Sequence, residues 1–207
     1  MKYAQFLAKY PLISDQVSRG EITVILRELE TILQRGITGN IVEFGCYIGT
    51  TSLFMRRLLD TYNQSDAREF HVYDSFEGLP PKVHADQNAA GVDFKAGELL
   101  VSKKQFLREF QRAKLAPPVT HKGWFDQLKP NDVPDDIAFA FLDGDFYDSI
   151  LASLKLVWPK LAENAVILVH DYKRETLPGV ERAINDFMQG KRYHLQHEQN
   201  IAILKAL

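Results

Sequence analysis

Apolar residues recur along this chain at two periods, and the two alternate. Over residues 21–35, Ile22, Ile25, Leu29, Ile32 and Leu33 fall three or four positions apart, the spacing of one helix face, and Gly36 marks its end. Residues 40–44 then read as a short strand, Gly45 opens a turn, and 51–61 form a second helical run. Residues 70–73 make a second strand ending on Asp74, and 119–121 a weaker third. Residues 137–142 and 165–169 are apolar at every position, as expected of strands covered on both faces. Between them, over 148–160, Ile150, Leu151, Leu154 and Val157 line one side of a helix. A last helix over 179–188 leads to 193–196 and 201–204, a terminal antiparallel hairpin.

Strands that alternate with helices predict an α/β fold, a mostly parallel sheet with helices on both faces. Right-handed crossovers bring every strand's carboxyl end to one edge, where ligands of such sheets bind. The residues that stop the strands, Gly45, Asp74, Asp143 and His170-Asp171, are therefore expected around one crevice. At 207 residues the chain is expected to form one domain, with a helical N-terminal segment over 1–39. The long stretch 76–101, with Gly78, Pro80, Pro81, Gly91 and Gly97, precedes a helix over 102–113 and is expected to act as a substrate-side lid.

Composition narrows the function without naming it. The chain is 45% hydrophobic and 25% charged, an ordinary globular balance. A net charge of −2, with both signs interspersed, supplies no basic field for a phosphate backbone, so no nucleic-acid partner is expected. The first residues lack an apolar run with a small-residue cleavage site, and no stretch reaches the length of a membrane span. No membrane association and a cytoplasmic location are expected. Cys46, the single cysteine, can form no internal disulfide and has no Cys or His partner at metal-site spacing.

The loop Gly45-Cys46-Tyr47-Ile48-Gly49 has glycines where backbone must approach a ligand or turn sharply into a helix. It lacks the Lys-Ser/Thr of a phosphate loop, and its Gly-x-x-x-Gly spacing is not the G-x-G-x-x-G of dinucleotide binders. That counts against a nicotinamide-dependent oxidoreductase, the first alternative enzyme class. Glu43, a charge at the end of an apolar strand, must reach the crevice or find a partner, and is expected to bond a ligand's polar or cationic end. Asp74 is placed to accept both hydroxyls of a ribose, the alternative being a cap or turn. Asp143, Asp145, His170 and Asp171 put three carboxylates and an imidazole at neighbouring strand ends, where a divalent cation would relieve their repulsion. Oxygen ligands suit magnesium, calcium or manganese, while the imidazole shifts the balance toward a softer transition metal. The structural alternative is that Asp145 and Asp171 cap the helices that follow them.

Five segments carry a more specific signal: Val42-Glu43-Phe44-Gly45, Tyr73-Asp74-Ser75-Phe76-Glu77-Gly78-Leu79-Pro80, Gly123-Trp124-Phe125, Leu142-Asp143-Gly144-Asp145-Phe146-Tyr147-Asp148-Ser149 and His170-Asp171-Tyr172. In this order the chain resembles the TylF/MycF family of macrocin-type sugar O-methyltransferases. The resemblance implies a Rossmann-like class I methyltransferase sandwich that uses S-adenosylmethionine and a divalent metal, magnesium in the family. It implies a small-molecule hydroxyl acceptor, glycosylated in that family, and a homodimer. Carried over by position, it implies Glu43, Gly45, Tyr47, Thr51 and Ser52 around the methionine part, Asp74 and Ser75 at the ribose, and Gly123 and Trp124 near the adenine. Asp143 and Asp171 would ligate the metal and Asp145 would act as general base. The family's Asp-Asp-Tyr is His170-Asp171-Tyr172 here, so an imidazole replaces one anionic ligand. A non-catalytic cofactor-binding protein with a decayed metal site is the second alternative.

Overall fold

The computed structural model describes residues 2–64, 67–88 and 94–206. Helices α1 (Tyr3–Lys9) and α2 (Arg19–Gln34) precede β1 (Asn40–Phe44), α3 (Thr50–Thr61), β2 (Phe70–Asp74), α4 (Lys103–Ala113) and β3 (Val119–Lys122). The second half runs β4 (Ile137–Leu142), α5 (Tyr147–Val157), β5 (Leu161–Val169), α6 (Pro178–Met188), β6 (Tyr193–Glu198) and β7 (Ile201–Ala206). The strands form one sheet in the order β3-β2-β1-β4-β5-β7-β6. Strands β1 to β5 are parallel, and the hairpin adds β7 and then β6 antiparallel. The predicted α/β fold is the observed one. Among the described residues no helix is long and apolar enough to cross a membrane.

Two boundaries differ from the expected ones for identifiable reasons. The helix expected over 148–160 ends at Val157 and tightens into a 3₁₀ turn at Trp158–Lys160, where Pro159 has no N–H to extend the α-helical ladder. Strand β5 begins at Leu161, four residues before its apolar run: Leu161 pairs with Ile137, the register then shifts across the stretch that holds the exposed Glu163 and Asn164, and pairing resumes at Val166 opposite Phe139.

Strand alternation divides the core in two. Ile41, Phe139, Phe141, Val166 and Leu168 face one layer with Ile25, Leu29, Phe54 and Phe106 of the α2, α3 and α4 side. Val42, Phe44, Ala140, Leu142, Ile167 and Val169 face the other, with Ile150 and Leu154 of α5 and Val180 and Ile184 of α6. This double covering is why β4 and the second half of β5 read as unbroken apolar runs. From β1 the chain builds outward to β2 and β3, then returns to place β4 and β5 on the other side. The connections thus diverge between β1 and β4, and that reversal opens a crevice beyond their carboxyl ends.

Candidate active site

The sheet ladder runs one residue past its central strands and fixes the first polar residue beyond each. Gly45 N–H donates to the Tyr73 carbonyl at 2.8 Å, Asp143 N–H to Phe44 at 2.7 Å, and His170 N–H to Leu142 at 2.9 Å. Above this edge lies a cavity of about 780 Å³, part of it open to solvent. Gly45, Tyr47, Asp74, Ser75, Trp124, Asp143, Asp145, His170 and Asp171 line it, so nine of the expected site residues share one space. Leu79, Pro80, Phe94 and Leu99, from the stretch expected to be the lid, supply apolar lining. That stretch doubles back on itself: Leu79 N–H donates to Glu98 O at 2.8 Å and Gly97 N–H to Leu79 O at 2.9 Å. Gly91 of the expected lid lies outside the described residues.

Glu43, Thr51, Ser52 and Gly123 do not line the cavity. Alternation puts Glu43 on the Ile41 face of β1, under α3, rather than at the sheet edge. Its carboxyl is fully buried, and its two oxygens meet the hydroxyls of Thr51 and Ser52 in the first turn of α3. Burial raises its pKa to about 8, against the lowering effect of the two hydroxyls. Glu43, expected to bond a ligand, instead has Thr51 and Ser52 as its partners here, and it ties β1 to α3 beneath the loop. Gly123 serves the same edge through its backbone, donating its N–H to Asp74 O at 3.0 Å.

Asp74 is also more occupied than expected. Its Oδ2 accepts the N–H groups of Cys46 at 2.9 Å and Tyr47 at 3.2 Å, and its Oδ1 accepts Phe76 N–H at 2.7 Å. A carboxylate offers roughly four lone-pair positions, so about one remains for a ligand. Asp74 thus holds the glycine loop while it lines the cavity where a ribose is expected. Ser75 Oγ donates to Gly78 O at 3.1 Å and accepts Glu77 N–H at 3.0 Å, shaping the turn from β2 into the lid.

The sharpest cluster is Asp143, His170 and Asp171, which offer one ligand atom each, all within 4.8 Å of one another. His170 Nδ1 lies 2.9 Å from Asp143 Oδ1 and 3.4 Å from Asp171 Oδ2. Burial opposes charge on the ring, but Asp143 and Asp171 outweigh it and hold the His170 pKa well above its ordinary value. Asp171 Oδ1 accepts Arg174 Nη1 at 2.6 Å. Asp145 lies beside the cluster in the left-handed region at φ 60°, and burial, then the charges of Asp143 and Asp171, raise its pKa well above the carboxylate range. Neither acid caps a helix. The N-cap of α5 is Phe146 with no side-chain cap bond, and α6 starts after Leu177.

The donor set fits a divalent cation, since two carboxylate oxygens and an imidazole nitrogen, which gives up its proton to bind metal, converge there. Three residues at this site had no sequence signal for it: Gln16, Arg174 and Glu21. Glu21 stands three positions after Ser18, the spacing of a capping box, and that box forms. Nothing in one dimension brings it to His170, yet its Oε1 lies 3.3 Å from His170 Nε2.

The sheet order, the glycine loop after β1 and the acidic ends of β2 and β4 define the class I Rossmann-like methyltransferase fold. The O-methyltransferase NovP shares it with a TM-score of 0.75 at 24% identity, covering 89% of this chain and 78% of that one. The calicheamicin methyltransferase CalS11 does so at 0.73 and 18%, covering 99% and 90%. The family model for Macrocin-O-methyltransferase (TylF) matches residues 16–200, and the chain belongs to that family. It is 32% identical over 165 residues to the 8-demethyl-8-(2,3-dimethoxy-alpha-L-rhamnosyl)-tetracenomycin-C 4'-O-methyltransferase of Streptomyces olivaceus, covering 77% of this chain and 61% of that protein. It is 26% identical over 167 residues to the mycinamicin III 3''-O-methyltransferase of Micromonospora griseorubida, covering 77% and 64%. The chain thus spans under two thirds of the length of these relatives.

Proposed function

We propose that this chain is an S-adenosylmethionine-dependent O-methyltransferase acting on a hydroxyl of a sugar or sugar-bearing small molecule. The observation that carries this reading is the single cavity in which the glycine loop, the Asp143-His170-Asp171 cluster and Asp145 meet under an apolar flap. The relatives' names, both O-methyltransferases and one of a rhamnosyl-bearing tetracenomycin, support the acceptor class. S-adenosylmethionine, when bound, supplies an electrophilic methyl on sulfur. Gly45, Tyr47, Asp74, Ser75 and Trp124 are the residues placed to hold it. Glu43, Thr51, Ser52 and Gly123 act from behind the loop.

Asp143, His170 and Asp171 would hold a divalent cation, whose chemistry here is to lower the pKa of an acceptor hydroxyl. Asp145 accepts the hydroxyl proton as the oxygen–methyl bond forms and the sulfur–methyl bond breaks. The described residues 76–88 and 94–101 act as the lid, with Leu79, Phe94 and Leu99 excluding water from the reacting end of the cavity.

The test is incubation with S-adenosylmethionine and a panel of rhamnosylated and other glycosylated acceptors, followed by mass spectrometry. A 14-dalton gain on acceptor matched by S-adenosylhomocysteine, lost with chelator and restored by a divalent cation, is the expected result. Tight cofactor binding with no transfer to any acceptor would favour a non-catalytic binding protein instead.

A further inference from the structure

Strand β5 sends Leu168 toward the α2 face of the sheet, and two positions later His170 points the same way, against Phe141 with ring centroids 6.0 Å apart. There the ring meets the N-terminus of α2. Glu21 is fixed at that point by the capping box, its Oε2 accepting Ser18 N–H at 2.7 Å. Its Oε1 accepts Asn200 Nδ2 at 3.1 Å and faces His170 Nε2 at 3.3 Å. Asn200 in turn accepts Tyr172 N–H through its carbonyl at 2.9 Å, so α2, the β6–β7 turn and the segment after β5 close around one imidazole.

The ring is only 2% exposed, and Nε2 has no hydrogen bond of full geometry. Its partner is the Glu21 carboxylate at 3.3 Å, a contact that metal binding at the other nitrogen would tighten into a full hydrogen bond. The other nitrogen, Nδ1, faces the two carboxylates of the cluster. A carboxylate behind one imidazole nitrogen, with the other turned to a set of candidate ligands, is the arrangement by which proteins fix the tautomer and orientation of a metal-binding histidine.

We infer that the Asp143-His170-Asp171 site selects a transition-metal dication over magnesium, and that Glu21 is the positioning residue that presents His170 Nδ1 to it. The inference rests on the metal-assisted reading above. The ligand chemistry carries the selectivity: magnesium takes oxygen ligands and releases water reluctantly, whereas manganese, cobalt and zinc accept imidazole nitrogen. Two carboxylates and an imidazole are an ordinary set for the second group and a poor one for the first. Asp171 is further committed to Arg174, which leaves less oxygen for a magnesium ion.

The experiment is isothermal titration of the full chain with Co²⁺, Mn²⁺ or Mg²⁺ chloride alone, joined to pulsed EPR of the Mn²⁺-loaded protein. Wild type is expected to bind Co²⁺ and Mn²⁺ more tightly than Mg²⁺ and to show imidazole nitrogen coupling to Mn²⁺. His170→Asp is expected to lose that coupling and narrow the Co²⁺/Mg²⁺ preference by on the order of tenfold or more. Glu21→Gln keeps a capping-box residue and therefore the fold, and is expected to weaken Co²⁺ binding by roughly 10- to 100-fold. Glu21→Asp should restore part of it. Absent nitrogen coupling in wild type, or a preference unchanged in His170→Asp, overturns the selectivity and leaves a metal-assisted transferase standing. Unchanged Co²⁺ affinity in Glu21→Gln overturns the positioning role. If none of the three cations binds in a way that Asp143→Asn abolishes, the metal reading fails and this inference with it.

Discussion

Gly45 lies so close to Asp143 that a Cβ at position 45 would overlap the Asp143 carbonyl oxygen. The contact joins the ends of β1 and β4, the point where the connections diverge, and lets the glycine loop lie flat against the acidic cluster. Gly45 also sits at φ 86°, outside the range an L side chain adopts without strain. Gly45→Ala is therefore expected to cost at least about 2 kcal/mol of stability through strain and overlap. It should also reduce S-adenosylmethionine affinity, because relieving the overlap must move the loop. Chemical denaturation and a cofactor titration check both; a stable variant with wild-type affinity would mean the approach of the two strands is looser than this packing implies.

Glu43 gives a prediction in pH. The folded carboxyl keeps its proton to about pH 8, against an ordinary 4.5. Between those values the native state holds a proton that the unfolded state has released, so stability falls as pH rises. Below about 4.5 both states are protonated and the contribution is whole; above about 8 both are ionised and no further loss comes from this group. Replacing Glu43 with Gln removes the ionisation and is expected to flatten the profile by up to about 1.4 kcal/mol per pH unit within that window. Urea unfolding at several pH values from 5 to 8 compares the two proteins. Parallel profiles would show that Glu43 is already ionised in the fold.

The same residue marks where a linear reading of the chain stops. Each central strand was legible because its apolar run ends abruptly on a glycine, an acid or the His170-Asp171 pair, and those ends do gather at one edge. The phase of the strand was the unused information. Glu43 shares the parity of Ile41, and His170 that of Leu168, so both point into the α2–α3 layer rather than out of the crevice. For Glu43 that parity means burial against Thr51 and Ser52; for His170 it means Glu21. The lid was legible only as a long irregular stretch, since Leu79, Phe94 and Leu99 become cavity lining through a fold-back with no periodic pattern. Arg174 and Gln16 reach the site from loops whose course depends on the finished sheet.

Asp74 ties the glycine loop to β2 through three backbone N–H groups. Asp74→Ala would leave those donors to water or to nothing. A loss on the order of 1–3 kcal/mol in stability is expected if they stay shielded. Cofactor binding should fall as well, because the loop and the single remaining carboxylate position are lost together. Calorimetry with S-adenosylmethionine and with methylthioadenosine, which lacks the amino-acid part, separates the two effects. If only the loop is disturbed, the penalty will be smaller for methylthioadenosine, whereas a direct ribose contact predicts equal penalties.

Asp145 offers the cleanest separation of chemistry from structure. Its φ of 60° is a conformation that asparagine tolerates as well as aspartate does, so Asp145→Asn keeps the turn between β4 and α5. The amide occupies nearly the same volume but cannot take a proton from a hydroxyl at neutral pH. The proposed base role predicts a fall in kcat of roughly 10²- to 10⁴-fold, with little change in the affinity for S-adenosylmethionine. The amide also cannot ionise, so it removes the repulsion from Asp143 and Asp171 that opposes a charge at this position. The variant is thus expected to be at least as stable as wild type, and a thermal melt measured beside the turnover assay tests that pairing. A stable, cofactor-competent Asp145→Asn protein with undiminished turnover would move the base to another group in the cavity.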